Sequence, residues 1–177
     1  MALLAEELVE EWLRRQGYFT MRGIKLGVHE IDLLAIRPGA NGQPECRHLE
    51  VQASMRPVSY ISRVPKHLQR AGRAANSAKR DAQELRQGVR EWVETKFRRP
   101  DKRALMQALW PAPWSSELVL HRVKSEAEVE MIAAEGISIL RLDEIIRSLS
   151  SKNFLIASAS GADFVDLIQM NTAEAAP

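Results

Sequence analysis

Apolar residues recur at helical spacing over residues 2–16, where Leu4, Leu8, Trp12 and Leu13 fall on one stripe, and Gly17 supplies a stop. The pattern then changes to short β-prone runs. Residues 18–24, 29–37 and 47–53 read as three strands; the second ends at Pro38-Gly39, and Asn41-Gly42 marks a turn before the third. A helix followed by three strands on short loops predicts an antiparallel meander packed on that helix. Pro57 and Pro65 bracket a connector, after which residues 66–97 show a partial apolar face at Leu68, Ala71, Ala75, Ala78 and Leu85. Gly72 and Gly88 weaken this helix, and Arg98-Arg99-Pro100 ends it. A short helix over 101–109 precedes a strand over 117–123, a helix over 125–135 stopped by Gly136, a strand over 137–142 and a helix over 143–150. This strand–helix–strand unit extends the same sheet in parallel. Residues 153–169 read as one amphipathic segment, and 171–177 as a frayed tail.

The expected fold is therefore α/β, a mixed sheet flanked by helices. A single domain spans 1–150: helix and meander over 1–55, a basic helical segment over 56–110, and the strand–helix extension over 117–150. Residues 151–177 form a C-terminal segment.

Two polar residues break the apolar pattern where they are least expected. Asp32 interrupts Ile31, Leu33 and Leu34, and Glu50 sits between Leu49 and Val51. Asp is disfavoured inside strands, and a buried carboxylate costs several kcal/mol without a cation or hydrogen bonds. Alternation places His48, Glu50 and Gln52 on one face of their strand, and Glu30 with Asp32 on one face of theirs. Paired strands bring Asp32 and Glu50 together, as a shared Mg²⁺ would require. Such an ion polarises a phosphoryl oxygen and acidifies bound water. Glu30 and His48 read as strand-surface residues, and Glu6, beside Glu7, Glu10 and Glu11, also suits an acidic first turn.

Charge changes the picture in the middle of the chain. The net charge is +2, but residues 1–55 carry −2, residues 56–103 carry +9 and residues 104–177 carry −5. Arg63, Lys66, Arg70, Arg73, Lys79 and Arg80 recur at loosely helical spacing and suit either a phosphate-binding face or a solvated one. Trp92 and Phe97 read as core residues; Trp110 and Trp114 are further aromatics able to stack on bases. A hydrophobic fraction of 45% and a charged fraction of 27% are those of a globular protein with a core. No apolar run approaches the ~20 residues of a membrane span. The start, Met1–Glu7, has no basic signal-peptide region, and Cys46 is the single cysteine, which excludes a thiolate zinc site. The expected compartment is the cytoplasm.

Taken in order, the motifs resemble the PD-(D/E)XK nuclease superfamily, also called restriction-endonuclease-like, and most closely its Holliday-junction-resolvase and Mrr-like branches. Glu6 lies in a first helix that runs into Gly17-Tyr18; Glu30-Ile31-Asp32 matches the second motif and Glu50-Val51-Gln52 the third. The resemblance covers about residues 1–55 and implies a restriction-endonuclease-like core of αβββαβ type. It implies that Asp32, Glu50 and the Val51 carbonyl ligate Mg²⁺ or Mn²⁺, that Glu6 assists through water or as a ligand, and that position 52 orients the attacking water. Here the chain departs from the pattern, with Gln52 where the family has Lys; an amide orients water but carries no charge. Lys66 or Lys79 is a candidate substitute for that ammonium.

The function implied is hydrolysis of phosphodiester bonds in DNA, endonucleolytic rather than exonucleolytic, with the basic segment holding the backbone. Many members of the family are dimers, which adds a homodimer to the expectations. Gln52 keeps open a lapsed nuclease fold that only binds DNA. A protein-interaction or regulatory subunit of a repair or defence assembly is the third alternative. DNA against RNA and the form of the substrate stay open.

Overall fold

A computed structural model describes residues 2–40, 42–54, 59–150 and 154–157. Helix α1 (Ala2–Arg15) ends as its sequence requires: Gly17 takes φ 84°, its N–H reaches the Arg14 carbonyl at 2.9 Å, and Tyr18 N–H reaches Leu13 at 3.1 Å. Those two bonds close the last turn on a residue that only glycine adopts cheaply. The chain returns as β1 (Phe19–Leu26), β2 (His29–Pro38) and β3 (Pro44–Gln52), paired antiparallel in sequence order. β4 (Trp114–Leu120) and β5 (Ser138–Arg141) add to β3 in parallel, giving one mixed sheet in the order β1-β2-β3-β4-β5. The meander and its parallel extension are thus as the sequence predicts, although β4 starts three residues early, directly after Pro113.

Residues 66–97 do not form one helix. Helix α2 (Lys66–Arg70) stops before Gly72, which adopts φ 92°, and the chain is irregular up to Asp81. Helix α3 (Ala82–Lys96) starts there because Asp81 and Glu84 form a reciprocal capping box. The local cap outcompetes the weak apolar periodicity that bridges 71–81. Asp81→Ala removes an acceptor for the Glu84 N–H and is expected to cost about 1 kcal/mol, read as a lower urea midpoint at unchanged slope.

Helices α4 (Pro100–Leu109), α5 (Glu126–Ala134) and α6 (Leu142–Leu149) complete the element order. Two helices cover one face of the sheet: Leu8, Val9 and Leu13 of α1 and Ile145 of α6 pack on Leu33, Leu49 and Val119. On the other face Val89 and Val93 of α3 and Ile132 of α5 pack on Leu118 and Leu120, and Met106 of α4 packs on Ile31 and Leu34. Phe97 is buried and Trp92 partly so, as expected of core aromatics. The proposed amphipathic segment over 153–169 and the tail lie almost wholly outside the described residues. Among the described residues no helix is long and apolar enough to cross a membrane.

Candidate functional site

The β1–β2–β3 ladder is interrupted where the two acidic strands meet. Pairing runs from Arg22↔Leu33 to Ile24↔Ile31 and skips Gly23 opposite Asp32. Gly23 takes φ 65°, and the core-facing alternation shifts there, since Ile31 and Leu34 face the same cluster while Leu33 faces the opposite one. β2 and β3 pair only as far as Leu33↔Leu49. Beyond that point the Val51 N–H donates to Asp32 Oδ2 at 2.8 Å, so a side chain replaces the next strand's carbonyl. This local opening of the ladder is what gives Asp32 its place at the mouth of the two strands.

Glu50 is fully buried on the face covered by α3 and α4. Its Oε1 accepts from Lys102 Nζ at 2.6 Å and from His48 Nε2 at 3.1 Å; its Oε2 accepts from Lys96 Nζ at 2.6 Å. Lys102 also donates to the Lys96 carbonyl at 2.8 Å, which ties the end of α3 to the start of α4. His48, expected at a strand surface, is instead fully buried: its ring packs 5.0 Å from Phe97 and its Nδ1 has no partner. Alternation assigned His48 the right neighbours; the burial comes from the α3–α4 corner laid over that face.

Three acids of this region are unequal. Burial alone would raise the Glu50 carboxyl, but the His48 hydrogen bond and the Lys96 and Lys102 charges bring it down to about 2. Asp32 goes the other way: burial and the Glu50 charge push it up to about 6, against the pull of Lys96 and the Val51 N–H. Glu6, on α1, is also raised, by burial and then by Glu30, with Arg22 opposing. Burial works against the Lys96 ammonium, yet Glu50 and Asp32 carry its pKa above the ordinary value. Glu50 is thus ionised and neutralised within the fold, whereas Asp32 is held beside like charge with too little compensation.

A hard divalent ion held by carboxylates and water fits this donor set in one way. Asp32 supplies an undercompensated carboxylate. Glu50 shares an oxygen only where Lys96 withdraws from Oε2. The Lys96 side chain is 28% exposed and has room to do so; that of Lys102, at 1%, does not. Among the described residues no group of three or more His, Cys, Asp and Glu side chains is placed to hold a metal. What the fold brings together here is two carboxylates, Asp32 and Glu50, with the Val51 N–H on the first.

Of the residues selected from the sequence, Asp32, Glu50 and Val51 come together, and Glu6 lies within electrostatic reach of them. Gln52 ends β3 and shares the lining of a cleft with Lys96, Arg63 and Lys66. The other basic candidates divide. Arg70 and Lys79 are exposed, Arg73 pairs with Glu84, and Arg80 donates to the Ser62 carbonyl at 2.9 Å while lying over the Tyr60 ring at 4.4 Å. Arg73 and Arg80 brace the irregular 71–81 segment. The ammonium at Glu50 comes from neither Lys66 nor Lys79 but from Lys96, and the buried Lys102 joins it. No motif marks these two; the available signal is the rule that a carboxylate buried in a strand needs a cation from the helices that cover it.

The site therefore belongs to a mixed α/β protein with a carboxylate–lysine cluster at the ends of two central strands. No family model, curated protein or solved structure matches the chain.

Proposed function

We propose that the protein is a metal-dependent nuclease that hydrolyses phosphodiester bonds in DNA on a restriction-endonuclease-like core. The observation that carries this reading is the convergence of Asp32 and Glu50 where the β2–β3 ladder opens, with the Lys96 ammonium 2.6 Å from Glu50 and Gln52 two residues on in the strand. Order in the sequence, strand topology and the acid pair all agree with the motif resemblance. Lys96 supports the reading at its one departure, because it brings from a helix a charge that Gln52 lacks.

In this reading Asp32 and Glu50 hold Mg²⁺ or Mn²⁺, whose chemistry when bound is to polarise the phosphoryl oxygen and acidify water. The Gln52 amide orients the attacking water. Lys96, released from Glu50 Oε2, balances charge developing on the phosphoryl oxygens. Glu6, whose carboxyl is raised, would accept the proton that water gives up.

The test is cleavage of supercoiled plasmid, linear single strand and branched DNA with Mg²⁺ or Mn²⁺. Asp32→Ala is expected to lower the rate roughly a thousandfold or more, the equivalent of about 4 kcal/mol of lost stabilisation. A variant that cuts as well as the parent rules the proposal out. The two lysines that already neutralise Glu50 favour a second reading, a lapsed nuclease fold that binds DNA without cutting. In that case DNA binding persists, neither protein cuts, and titration calorimetry finds no Mn²⁺ affinity.

A further inference from the structure

A cleft of about 650 Å³ adjoins the carboxylate cluster, with Gln52 and Lys96 in its lining. Four elements build the rest of it: the β1–β2 turn at Val28–His29, the connector from Ile61 to Val64, Lys66 and Gln69 of α2, and the Gly88–Lys96 stretch of α3. The connector is a fixed wall. The buried Glu128 carboxylate accepts from Ile61 N–H at 2.7 Å and Ser62 N–H at 2.8 Å, and Val64 N–H bonds the Ala75 carbonyl at 2.9 Å. Gly88 lets this wall lie directly on α3, since a Cβ there would stand 2.5 Å from the Arg63 carbonyl oxygen.

The lining pairs two chemistries. Arg63 and Lys66, both exposed, outnumber the one acid, Glu91, and select an anion, while Lys96 is paired with Glu50. Val28 and the exposed parts of Ile61 and Trp92 supply an apolar and aromatic surface, with Val64 buried behind them. Val28 is the extreme case: it is 95% exposed in a two-residue turn in which Gly27 takes φ 62°. Cations beside apolar and aromatic faces match a polynucleotide whose bases are unstacked, with phosphates on the first and bases on the second. A uniform duplex keeps its bases inside and would leave the apolar half of the cleft wet. The volume falls among pockets of about 300–1,000 Å³, enough for roughly one or two nucleotides and not for a duplex.

We infer that this cleft binds an unpaired stretch of polynucleotide, so that the substrate is a single strand or carries an unpaired arm next to the bond that is cut. The inference rests on the nuclease reading for identifying the anion as a phosphodiester chain. Val28 is then the residue that meets the last base step at the junction, as apolar wedges do in proteins that unstack DNA.

The experiment is fluorescence anisotropy on the full chain in EDTA, with labelled single-stranded DNA, RNA of the same sequence, blunt duplex, and duplex with an unpaired arm. Thermal melts of each variant monitor folding. The single strand and the armed duplex are expected to bind at least tenfold tighter than blunt duplex. Arg63→Ala/Lys66→Ala is expected to remove that preference and to flatten the salt dependence by about 1.4, or 0.7 per phosphate lost. Val28→Asp, which leaves both cations in place, is expected to weaken the armed duplex. Equal affinity for blunt duplex, or single-strand binding within twofold of the parent in the double variant, overturns the inference. Cutting of blunt duplex as fast as single strand also overturns it while leaving the nuclease standing. Single-strand binding through Arg63 and Lys66 with no cutting of any substrate keeps the cleft and overturns the nuclease instead. Tighter binding of RNA keeps the cleft and moves the substrate to RNA.

Discussion

Asp32→Asn is expected to abolish metal-dependent cutting and, at the same time, to stabilise the fold at pH 7 by about 2–3 kcal/mol. Asn keeps an oxygen for the Val51 N–H, so the opened ladder is preserved while the charge is removed. The folded protein holds the Asp32 carboxyl at about 6, against an ordinary value of 3.8, because burial and Glu50 disfavour the charge. For an acid raised by folding, the native state keeps its proton when the unfolded chain has lost it. Below pH 3.8 both states are protonated and no penalty exists; the penalty grows through the interval up to about 6 and is constant above. Each pKa unit is worth about 1.4 kcal/mol, and partial exposure trims the total to about 2–3. For a chain of this size that is a rise in Tm of roughly 5–10 °C. Melting curves from pH 3.5 to 8 read the effect: the Asn variant should lead at pH 7 and lose its lead below pH 4. Mn²⁺ should raise the Tm of the parent and not of the variant, and its affinity should weaken about tenfold per pH unit below 6, as Asp32 takes up its proton. An Asn variant no more stable than the parent at pH 7 would mean that Asp32 is already compensated, and the case for a cation there would fall.

Most of what is local was legible in the sequence. The α1 stripe closed by Gly17, the hairpins of the meander, and the two carboxylates out of place in apolar runs all follow from spacing and propensity. The helix over 66–97 was not, because the Asp81–Glu84 capping box sets a start that a weak Ala-rich periodicity hides. The partners of Glu50 were not legible for a different reason. Lys96 lies 46 residues away and Lys102 52, and neither carries a pattern of its own. They meet Glu50 only because α3 and α4 turn a corner at Arg98–Arg99–Pro100 over that face of the sheet. The same corner buries His48. Among the basic residues, charge count and helical spacing could not separate Arg63 and Lys66, which face the cleft, from Arg73 and Arg80, which hold their own loop together.

The contrast between the two lysines gives the second large effect. Lys102→Met is expected to cost about 3–5 kcal/mol, the usual consequence of breaking a buried ion pair from one side. The ammonium is 1% exposed, lies 2.6 Å from Glu50 Oε1, and satisfies the Lys96 carbonyl as well. Its loss leaves the buried Glu50 carboxylate with only Lys96 and His48 and takes a donor from the half-buried Lys96 carbonyl. Lys96→Met should cost about 1 kcal/mol or less, because its partly exposed site admits water and Lys102 still neutralises Glu50. With a total stability of the order of 5–15 kcal/mol, the Lys102 variant stands near the limit of folding. The double variant Lys102→Met/Glu50→Gln then decides the cause. If charge compensation is the role of Lys102, the second change restores most of the loss, and a double-mutant cycle in urea returns a coupling of a few kcal/mol. Acid should narrow the gap between parent and Lys102→Met. The stability that the Glu50 ion pairs contribute is fully present above its ordinary 4.5 and is lost as pH falls through about 2. Equal losses for Lys96→Met and Lys102→Met would remove the distinction between a permanent counter-ion and an exchangeable one. In the proposed mechanism that distinction would let Glu50 stay charged within the fold and still offer an oxygen to a metal when Lys96 turns toward a phosphate.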